Sequence, residues 1–266
     1  MKKYILISCF LFSFFPAWAQ NSLEVAYEIS NYTYKEPDGG TPISLKGYMQ
    51  GANAIFKHRF VDNNMFWAAD MRYMGGATDY DGWLMSTPPT KHTTDDIGDY
   101  YLEGRLLAGS IYTLSEQWEL WAFMGLGYRY LKDHMNKSPF GYLRKSHYLY
   151  VPAAVEFHWT SGSWAAALNA ELDFLLRGVQ NSRFADIDPA YSNPTNDQNR
   201  GLGLRLSAKL SKDLGRMSVF IEPFWRYWDI EDSDTTLLYY NGLPYEYVLE
   251  PHNTTTEYGL RAGINF

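Results

Sequence analysis

Apolar and polar residues alternate along most of this chain, with great regularity from Trp164 to Arg177 and over the last eleven residues, 256–266. In the final stretch one set of alternate positions is apolar: Tyr258, Leu260, Ala262, Ile264 and Phe266. The other set is polar or glycine: Glu257, Gly259, Arg261, Gly263 and Asn265. Since successive side chains of a strand point to opposite faces, this period predicts strands with one face suited to lipid and one suited to a polar interior.

The same alternation, interrupted by turn residues, predicts about ten strands. They cover residues 21–35, 45–60, 65–78, 99–114, 118–131, 143–159, 164–177, 201–210, 217–230 and 256–266. Tight turns alternate with longer polar connections, which include loops predicted at 79–97, 132–142, 178–199 and 231–253. Pro152 falls inside the sixth strand, and because proline lacks an amide donor it predicts a bulge or a local break there.

An even number of strands with alternating short and long connections favours an all-β fold, an antiparallel transmembrane β-barrel with long extracellular loops. A soluble sandwich or lipocalin shares the alternation, but it would turn its apolar face inward. The polar face here carries both signs of charge: Asp70, Arg72, Glu103, Arg105, Arg129, Glu156, Glu171, Asp173, Arg177, Arg205, Glu222, Arg226, Glu257 and Arg261. Such charges are stable in a narrow lumen only if they are hydrated or paired. We therefore expect a plugged barrel rather than an open pore.

The composition agrees with a barrel. Aromatic residues make up 17% of the 266 residues, as expected where Tyr and Trp form girdles at two membrane interfaces. The mean hydropathy of −0.35 excludes a helical membrane bundle, but not a barrel in which only alternate residues face lipid. The formal net charge of −7 argues against a nucleic-acid partner.

The N-terminus has the features of an export signal. A basic start, residues 1–3, is followed by an apolar run to Phe15 and by the small-x-small site Ala17-Trp18-Ala19. We predict a signal peptide over residues 1–19 and one barrel domain over residues 20–266. Cys9 is the single cysteine and lies in the signal, so the mature chain has no disulfide framework.

Two carboxylates stand one residue apart where the third predicted strand ends, in Asp79-Tyr80-Asp81-Gly82-Trp83. On a strand they point to the same side, where they could polarise a water molecule or hold a cation. Like charges this close also raise one of the two pKa values, which suits a general base.

The surrounding stretch, ATDYDGWLMSTPPTKHTTDDIGDYYLEGRLLAG, resembles the omptin family of outer-membrane proteases. Those proteins are ten-stranded barrels with an Asp-x-Asp pair followed by Trp, opposite an Asp-x-His pair in the fourth loop.

The resemblance implies catalytic roles for Asp79 and Asp81, with Asp186 and Asp188 standing roughly where the family has Asp and His. The fourth loop, RGVQNSRFADIDPAYSNPTNDQN, contains no histidine. Without an imidazole to deprotonate the attacking water, the family's mechanism is incomplete. The other loop histidines are candidates to replace it in space: His92, His134, His147 and His252.

Two further loop features allow more than one interpretation. Acidic residues cluster in the loops and either attract basic peptides or divalent cations, or simply form an anionic surface: Asp95, Asp96, Asp186, Asp188, Glu231, Asp232 and Asp234. Aromatic residues near the last loop either stack sugars or form an interface girdle: Trp225, Tyr227, Trp228, Tyr239, Tyr240, Tyr245 and Tyr247. For the loop tyrosines the sequence leaves both interpretations open.

Three functions follow as hypotheses. The first is a non-enzymatic surface barrel that is structural, adhesive or ligand-binding through its loops; the second is an omptin-like endopeptidase; the third is a narrow channel. No metal or cofactor motif is present. The expected location is the outer membrane of a Gram-negative cell, with lipid and lipopolysaccharide as partners. The closing strand also resembles those of bacterial outer-membrane barrels, which implies recognition of Phe266 by the barrel-assembly machinery.

Overall fold

The computed structural model describes residues 19–37, 41–60, 62–84, 89–138 and 140–266. These described residues form thirteen strands. They are β1 Ala19–Glu36, β2 Ile43–Phe60, β3 Met65–Leu84, β4 Thr90–Thr113, β5 Trp118–Asp133, β6 Arg144–Ser161, β7 Trp164–Ser182, β8 Thr195–Gln198, β9 Gly201–Asp213, β10 Ser218–Ile230, β11 Thr236–Tyr240, β12 Leu243–Val248 and β13 Asn253–Asn265. Two short 3₁₀ helices cover Met135–Lys137 and Phe184–Asp186. The predicted signal peptide lies outside the described residues except for Ala19, where β1 begins.

Ten of these strands form one closed antiparallel barrel, which confirms the prediction of an all-β antiparallel barrel. Each strand of the wall pairs with its neighbours in chain order, and β13 closes the wall by pairing with both β1 and β10. β8 extends the wall beside the far end of β7, and β11 with β12 forms a separate hairpin. Within the described residues, no helix is long and apolar enough to cross a membrane.

The two faces of the wall have opposite chemistry, as the alternation predicts. Apolar side chains such as Leu106, Leu168 and Leu206 are exposed on the outside. Charged side chains such as Glu28, Asp70 and Arg72 are buried inside. The outer band therefore contacts membrane lipid, and the charged face lines the lumen.

Arg177 differs from the prediction, because it lies outside the lumen with its side chain 65% exposed and pairs with Asp197. The β6–β7 register pairs Leu149 with Arg177 but Tyr150 with Leu175, so Leu176 is an extra residue in β7. Such a bulge reverses the facing of the residues beyond it. Sequence alternation alone does not show this reversal.

Pro152 breaks the ladder between β6 and β5 locally, while β6 itself continues and Pro152 stays paired with Asp173 of β7. The β5–β6 register pairs Met124 with Ala153 and Gly127 with Tyr150, and the ladder is broken opposite Pro152. The break follows from the missing amide donor of proline.

Most of the stretch predicted as a polar loop at 79–97 instead continues the wall, namely its described residues 79–84 and 90–97. β3 and β4 stay paired from Thr78 opposite Ile97 to Leu84 opposite Thr90, with one bulge after Thr78. Tyr80 and Ile97 are buried with Leu45 on the inner side. The outer face is polar there, so the apolar alternation typical of lipid-facing strands ends although the strands continue. The loops predicted at 178–199 and 231–253 likewise contain the short strands β8, β11 and β12.

A layer of ion pairs fills the middle of the lumen. Arg205 donates to Glu103 at 2.6 Å and to Asp173 at 2.5 Å. Arg72 donates to Glu28 at 3.1 Å and also pairs with Glu103. Because these carboxylates and guanidinium groups satisfy one another, charges that would otherwise need water are stable inside the barrel.

Tyrosine hydroxyls and a third arginine extend this ion-pair layer. Arg226 lies 3.0 Å from Glu28 and 3.3 Å from Glu257. The Tyr101 hydroxyl donates to Glu257 at 2.9 Å, and the Tyr150 hydroxyl donates to Glu103 at 2.7 Å. The layer separates a cavity of about 60 Å³ toward the end with the longer connections from one of about 320 Å³ toward the short-turn end.

Candidate functional site at the long-connection end

Asp79 and Asp81 lie on the outer face of the β3 extension, where both side chains are exposed. An Asp79 carboxylate oxygen accepts the amide of Asp96 at 3.1 Å. Asp96 adopts a left-handed backbone with φ of 60° at the bulge, so Asp79 satisfies a donor that the bulge removes from the ladder. Asp81 pairs with Lys91 at 3.0 Å. The intervening Tyr80, not the carboxylates, points toward the barrel axis.

Asp186 and Asp188 hold loops together. The Leu143 amide donates to Asp186 at 3.1 Å, and Arg183 pairs with the same carboxylate at 3.1 Å. Asp188 accepts the Ala190 amide at 2.9 Å and the Tyr240 hydroxyl at 3.1 Å. Among the described contacts, none joins Asp186 or Asp188 to the Asp79 and Asp81 pair.

Two of the four candidate histidines, His92 and His252, contact partners other than these aspartates. His92 lies 3.0 Å from the Thr94 hydroxyl and 3.1 Å from the Ser138 hydroxyl. His252 Nε2 lies 2.8 Å from an Asp229 carboxylate oxygen. This imidazole–carboxylate pair joins β10 to the residue just before β13, and these two strands lie four and three places around the wall from β3. The sequence indicates His252 as a candidate but gives no sign of Asp229, because 23 residues separate the two along the chain and only the fold brings them together.

A cluster of tyrosines joins the hairpin β11–β12 to the loop before β8. The rings of Tyr191 and Tyr240 are 4.8 Å apart between centroids, and Tyr245 lies 5.6 Å from Tyr191. Backbone bonds support the contact, since Ser192 donates to the Tyr239 carbonyl at 2.9 Å. The pattern of the last loop indicated Tyr240 and Tyr245, but Tyr191 joins them only through the fold.

One face of β12 exposes large apolar and aromatic side chains. Leu243, Tyr245 and Tyr247 alternate along the strand and are 69%, 57% and 71% exposed. We call these three residues the hairpin face. Glu246 and Pro244 occupy the other side. Because the hairpin pairs outside the barrel wall, this face is separate from the lipid-contacting band.

A buried carboxylate anchors the connection from β12 to β13. The Glu250 amide donates to the Ser233 hydroxyl at 2.7 Å, and its carboxylate accepts the Tyr34 hydroxyl at 3.2 Å. Burial, and then the nearby Glu36 carboxylate, raise the pKa of Glu250 to about 7, although Arg144 opposes the shift. The anchor of this loop is therefore sensitive to pH near neutrality. No group of three or more His, Cys, Asp or Glu side chains placed to hold a metal ion occurs in the part of the chain that the structure describes.

No protein-family model and no curated protein matches the sequence. Among solved structures, the fold resembles the outer membrane protease OmpT from Escherichia coli, with a TM-score of 0.66 and 10% identity over 92% of this chain and 96% of that one. Ail, the attachment invasion locus protein of Yersinia pestis, is less similar, with a TM-score of 0.34 and 12% identity over 93% of this chain and 99% of that one. The translocator domain of the autotransporter NalP from Neisseria meningitidis gives a TM-score of 0.39 and 11% identity over 90% of this chain and 88% of that one.

At these identities the likeness concerns the fold alone. The predicted resemblance to the omptin barrel is confirmed at that level. The chain is a barrel of the outer-membrane type, and its apolar outer band contacts lipid. Localisation in the bacterial outer membrane follows from this fold.

Proposed function

We propose that this barrel is a non-enzymatic cell-surface protein that binds ligands through the β11–β12 hairpin. The observation that carries the proposal is the hairpin face, three large side chains exposed at the end with the longer connections. In outer-membrane barrels that end faces outward and the short turns face the periplasm. An exposed apolar and aromatic patch of this kind marks an interaction or ligand-binding surface.

Glycans fit this surface better than other ligand classes. The C–H groups of a sugar ring pack on an aromatic face, and neighbouring carboxylates accept its hydroxyl groups. Tyr245 and Tyr247 supply rings, while Asp188 lies beside the tyrosine cluster and contacts Tyr240. The net charge of −7 disfavours sulfated or sialylated chains, so we expect neutral or amino sugars.

A glycan array probed with the refolded barrel tests this function. We expect the double variant Tyr245→Ala, Tyr247→Ala to lose most binding, since stacking on an aromatic ring contributes about 1 kcal/mol or more per ring. The matched control is Tyr112→Ala, an equally exposed tyrosine near a short turn. Equal binding by wild type and the hairpin variant, or no glycan bound by the folded wild type, would exclude the hairpin as the site.

The endopeptidase remains the second candidate, with Asp79, Asp81, Asp186 and Asp188 as its proposed catalytic residues. The pairing of His252 with Asp229 favours it, because an imidazole held by a carboxylate is the element that the fourth loop lacks. The test is cleavage of quenched peptides, including dibasic ones, with lipopolysaccharide added. Cleavage that disappears in Asp79→Asn, Asp81→Asn and in His252→Ala would establish the enzyme and displace the non-enzymatic proposal.

Two partners are proposed with this function. Lipopolysaccharide would contact the outward end of the lipid band, and the barrel-assembly machinery would recognise the closing strand. The exposed ring of Phe266 supports the second, since its backbone bonds to Leu23 at 3.0 and 3.1 Å leave the side chain outside the wall. Cells that express Phe266→Ser should accumulate less folded barrel than wild type, as a heat-modifiability gel would measure.

A further inference from the structure

We propose that the lumenal cavity at the short-turn end binds a small amphipathic organic anion, with Lys57 as the cation that holds its charged group. This site is independent of the hairpin face and lies on the other side of the ion-pair layer. The cavity measures about 320 Å³, near the lower limit for pockets that bind small molecules.

The lining has the two-sided chemistry that an amphipathic ligand needs. One wall is apolar and aromatic: Phe66, Leu107, Trp121 and Phe123. Lys57 and Lys209 bring ammonium groups to the same space, and the ion-pair layer forms its inner end. The cavity extends to Ser22 and Ser218, beside the short turns, so a ligand enters from that side.

Within the described residues, Lys57 is the one cation of this lining without an ion-pair partner. Each of the others pairs with at least one carboxylate: Arg72, Arg105, Arg205, Lys209, Arg226 and Arg261. Glu156 and Glu24 both attract Lys57 electrostatically, but they pair with His158 and Lys209 instead. An ammonium group in a confined lumen is costly without a counter-ion.

Aromatic rings, not acceptors, surround the Lys57 ammonium. Its Nζ lies 4.3 Å from the centroid of Trp121 and 5.8 Å from that of Phe66. These cation–π contacts are favourable, but they leave the hydrogen-bonding capacity of the ammonium unused. His158 stacks on Trp121 with 4.5 Å between centroids, which fixes the indole ring in place.

A carboxylate attached to a single ring or a short chain satisfies these conditions. Its charged group would accept hydrogen bonds from Lys57, while its apolar part would cover the wall formed by Phe66, Trp121 and Phe123. A cationic ligand would meet an excess of positive side chains on the lining. A multi-chain lipid exceeds the volume of the cavity.

Fluorine NMR titration of the barrel in lipid nanodiscs with 4-fluorobenzoate tests the proposal. We expect saturable binding of one probe per barrel and none of the neutral analogue 4-fluorobenzyl alcohol. Lys57→Met should weaken binding at least about tenfold, the effect of losing a charged hydrogen bond. Lys91→Met, which removes an exposed lysine of the β3–β4 hairpin, should bind like wild type.

A second variant protects the test from a folding defect in Lys57→Met. Ala167 is buried on the cavity lining, so Ala167→Phe narrows the space while it keeps Lys57. Loss of binding in this variant, with the folded-barrel gel mobility retained, supports the site. Absence of saturable binding to wild type, or equal affinity in wild type and Lys57→Met, would overturn it and leave a water-filled cavity.

Discussion

Arg205 has a central position among the buried charges of the lumen. It contacts Glu103, Asp173 and Glu171, and all three carboxylates are almost completely buried. Such an arginine contributes more to the stability of the fold than any single ion pair, because its removal leaves several buried carboxylates without a counter-charge. A surface arginine has no comparable effect, since water replaces its contacts.

We therefore predict that Arg205→Leu lowers the free energy of unfolding by about 3–5 kcal/mol. Arg177→Leu is the matched control, because Arg177 also pairs with an aspartate but is 65% exposed, and it should change stability by less than about 1 kcal/mol. Urea unfolding of the barrel in lipid vesicles, followed by gel mobility, measures both. Equal losses in the two variants would show that the buried layer does not stabilise the barrel.

Glu250 gives a pH dependence whose sign is fixed by its environment. Its pKa in the folded chain is about 7, above the ordinary value of 4.5. The folded state therefore holds the proton more tightly than the unfolded state, and the stabilisation from this group is fully present below pH 4.5 and is lost as the pH rises through about 7.

The expected consequence is a looser connection between β12 and β13 at pH 8 than at pH 5. Hydrogen exchange at the Ser233 and Glu250 amides, corrected for the intrinsic rate, measures it, since these amides bond across the loop. Glu250→Gln removes the titrating group and should make the protection independent of pH. Persistent pH dependence in that variant would assign the effect to another residue.

At the scale of the elements, β13 shows how closely the strands of the closing seam approach. A Cβ atom at Gly259 would lie 2.1 Å from the Ile29 carbonyl oxygen and 2.8 Å from the Phe224 ring. Neither the neighbouring backbone nor the buried ring can move without disturbing the seam. Glycine at this position is therefore a condition for closure between β1, β13 and β10.

Gly259→Ala should cost about 1–3 kcal/mol, the usual penalty for overpacking. Gly104→Ala is the control, because a Cβ atom there meets no atom within 4 Å, and alanine restricts the unfolded chain. The unfolding midpoint of Gly259→Ala should be lower than that of Gly104→Ala. A tolerated Gly259→Ala would mean that the seam is wider than described.

The same elements show what could be predicted from sequence. Strands within the lipid band were predictable because lipid on one side and charge on the other force a strict alternation. The extension of β3 and β4 could not be predicted, because the polarity of the two faces is reversed there. The outer face carries Asp79 and Asp81, whereas the inner face carries the buried Tyr80. Arg177 points out of the lumen because β7 contains one extra residue, and the alternation of polar and apolar residues does not indicate that bulge.

The candidate site was predictable only in part for a related reason. The sequence drew attention to Asp79, Asp81, Asp186 and Asp188, but their contacts depend on a bulge and on loop packing. The tyrosine cluster and the Asp229–His252 pair each combine residues from separate loops or strands. Contacts of this kind are set by tertiary structure and leave no local pattern.

For the whole molecule, the ion-pair layer separates the two ends of the barrel lumen. The end with the longer connections carries the hairpin face, and the short-turn end carries the cavity around Lys57. Because interlocked arginine, carboxylate and tyrosine groups lie between them, we expect no wide path for a solute through the lumen. Function is then expected at the ends, not along the axis.

Conductance in a planar lipid bilayer tests this account most directly. The reconstituted wild-type barrel, with a porin inserted in parallel as a positive control, should give no unitary current steps, because the buried layer that includes Glu28, Glu103 and Arg205 blocks ion passage. Reproducible steps from a barrel with the folded gel mobility would contradict the account, and the narrow channel would become the leading function.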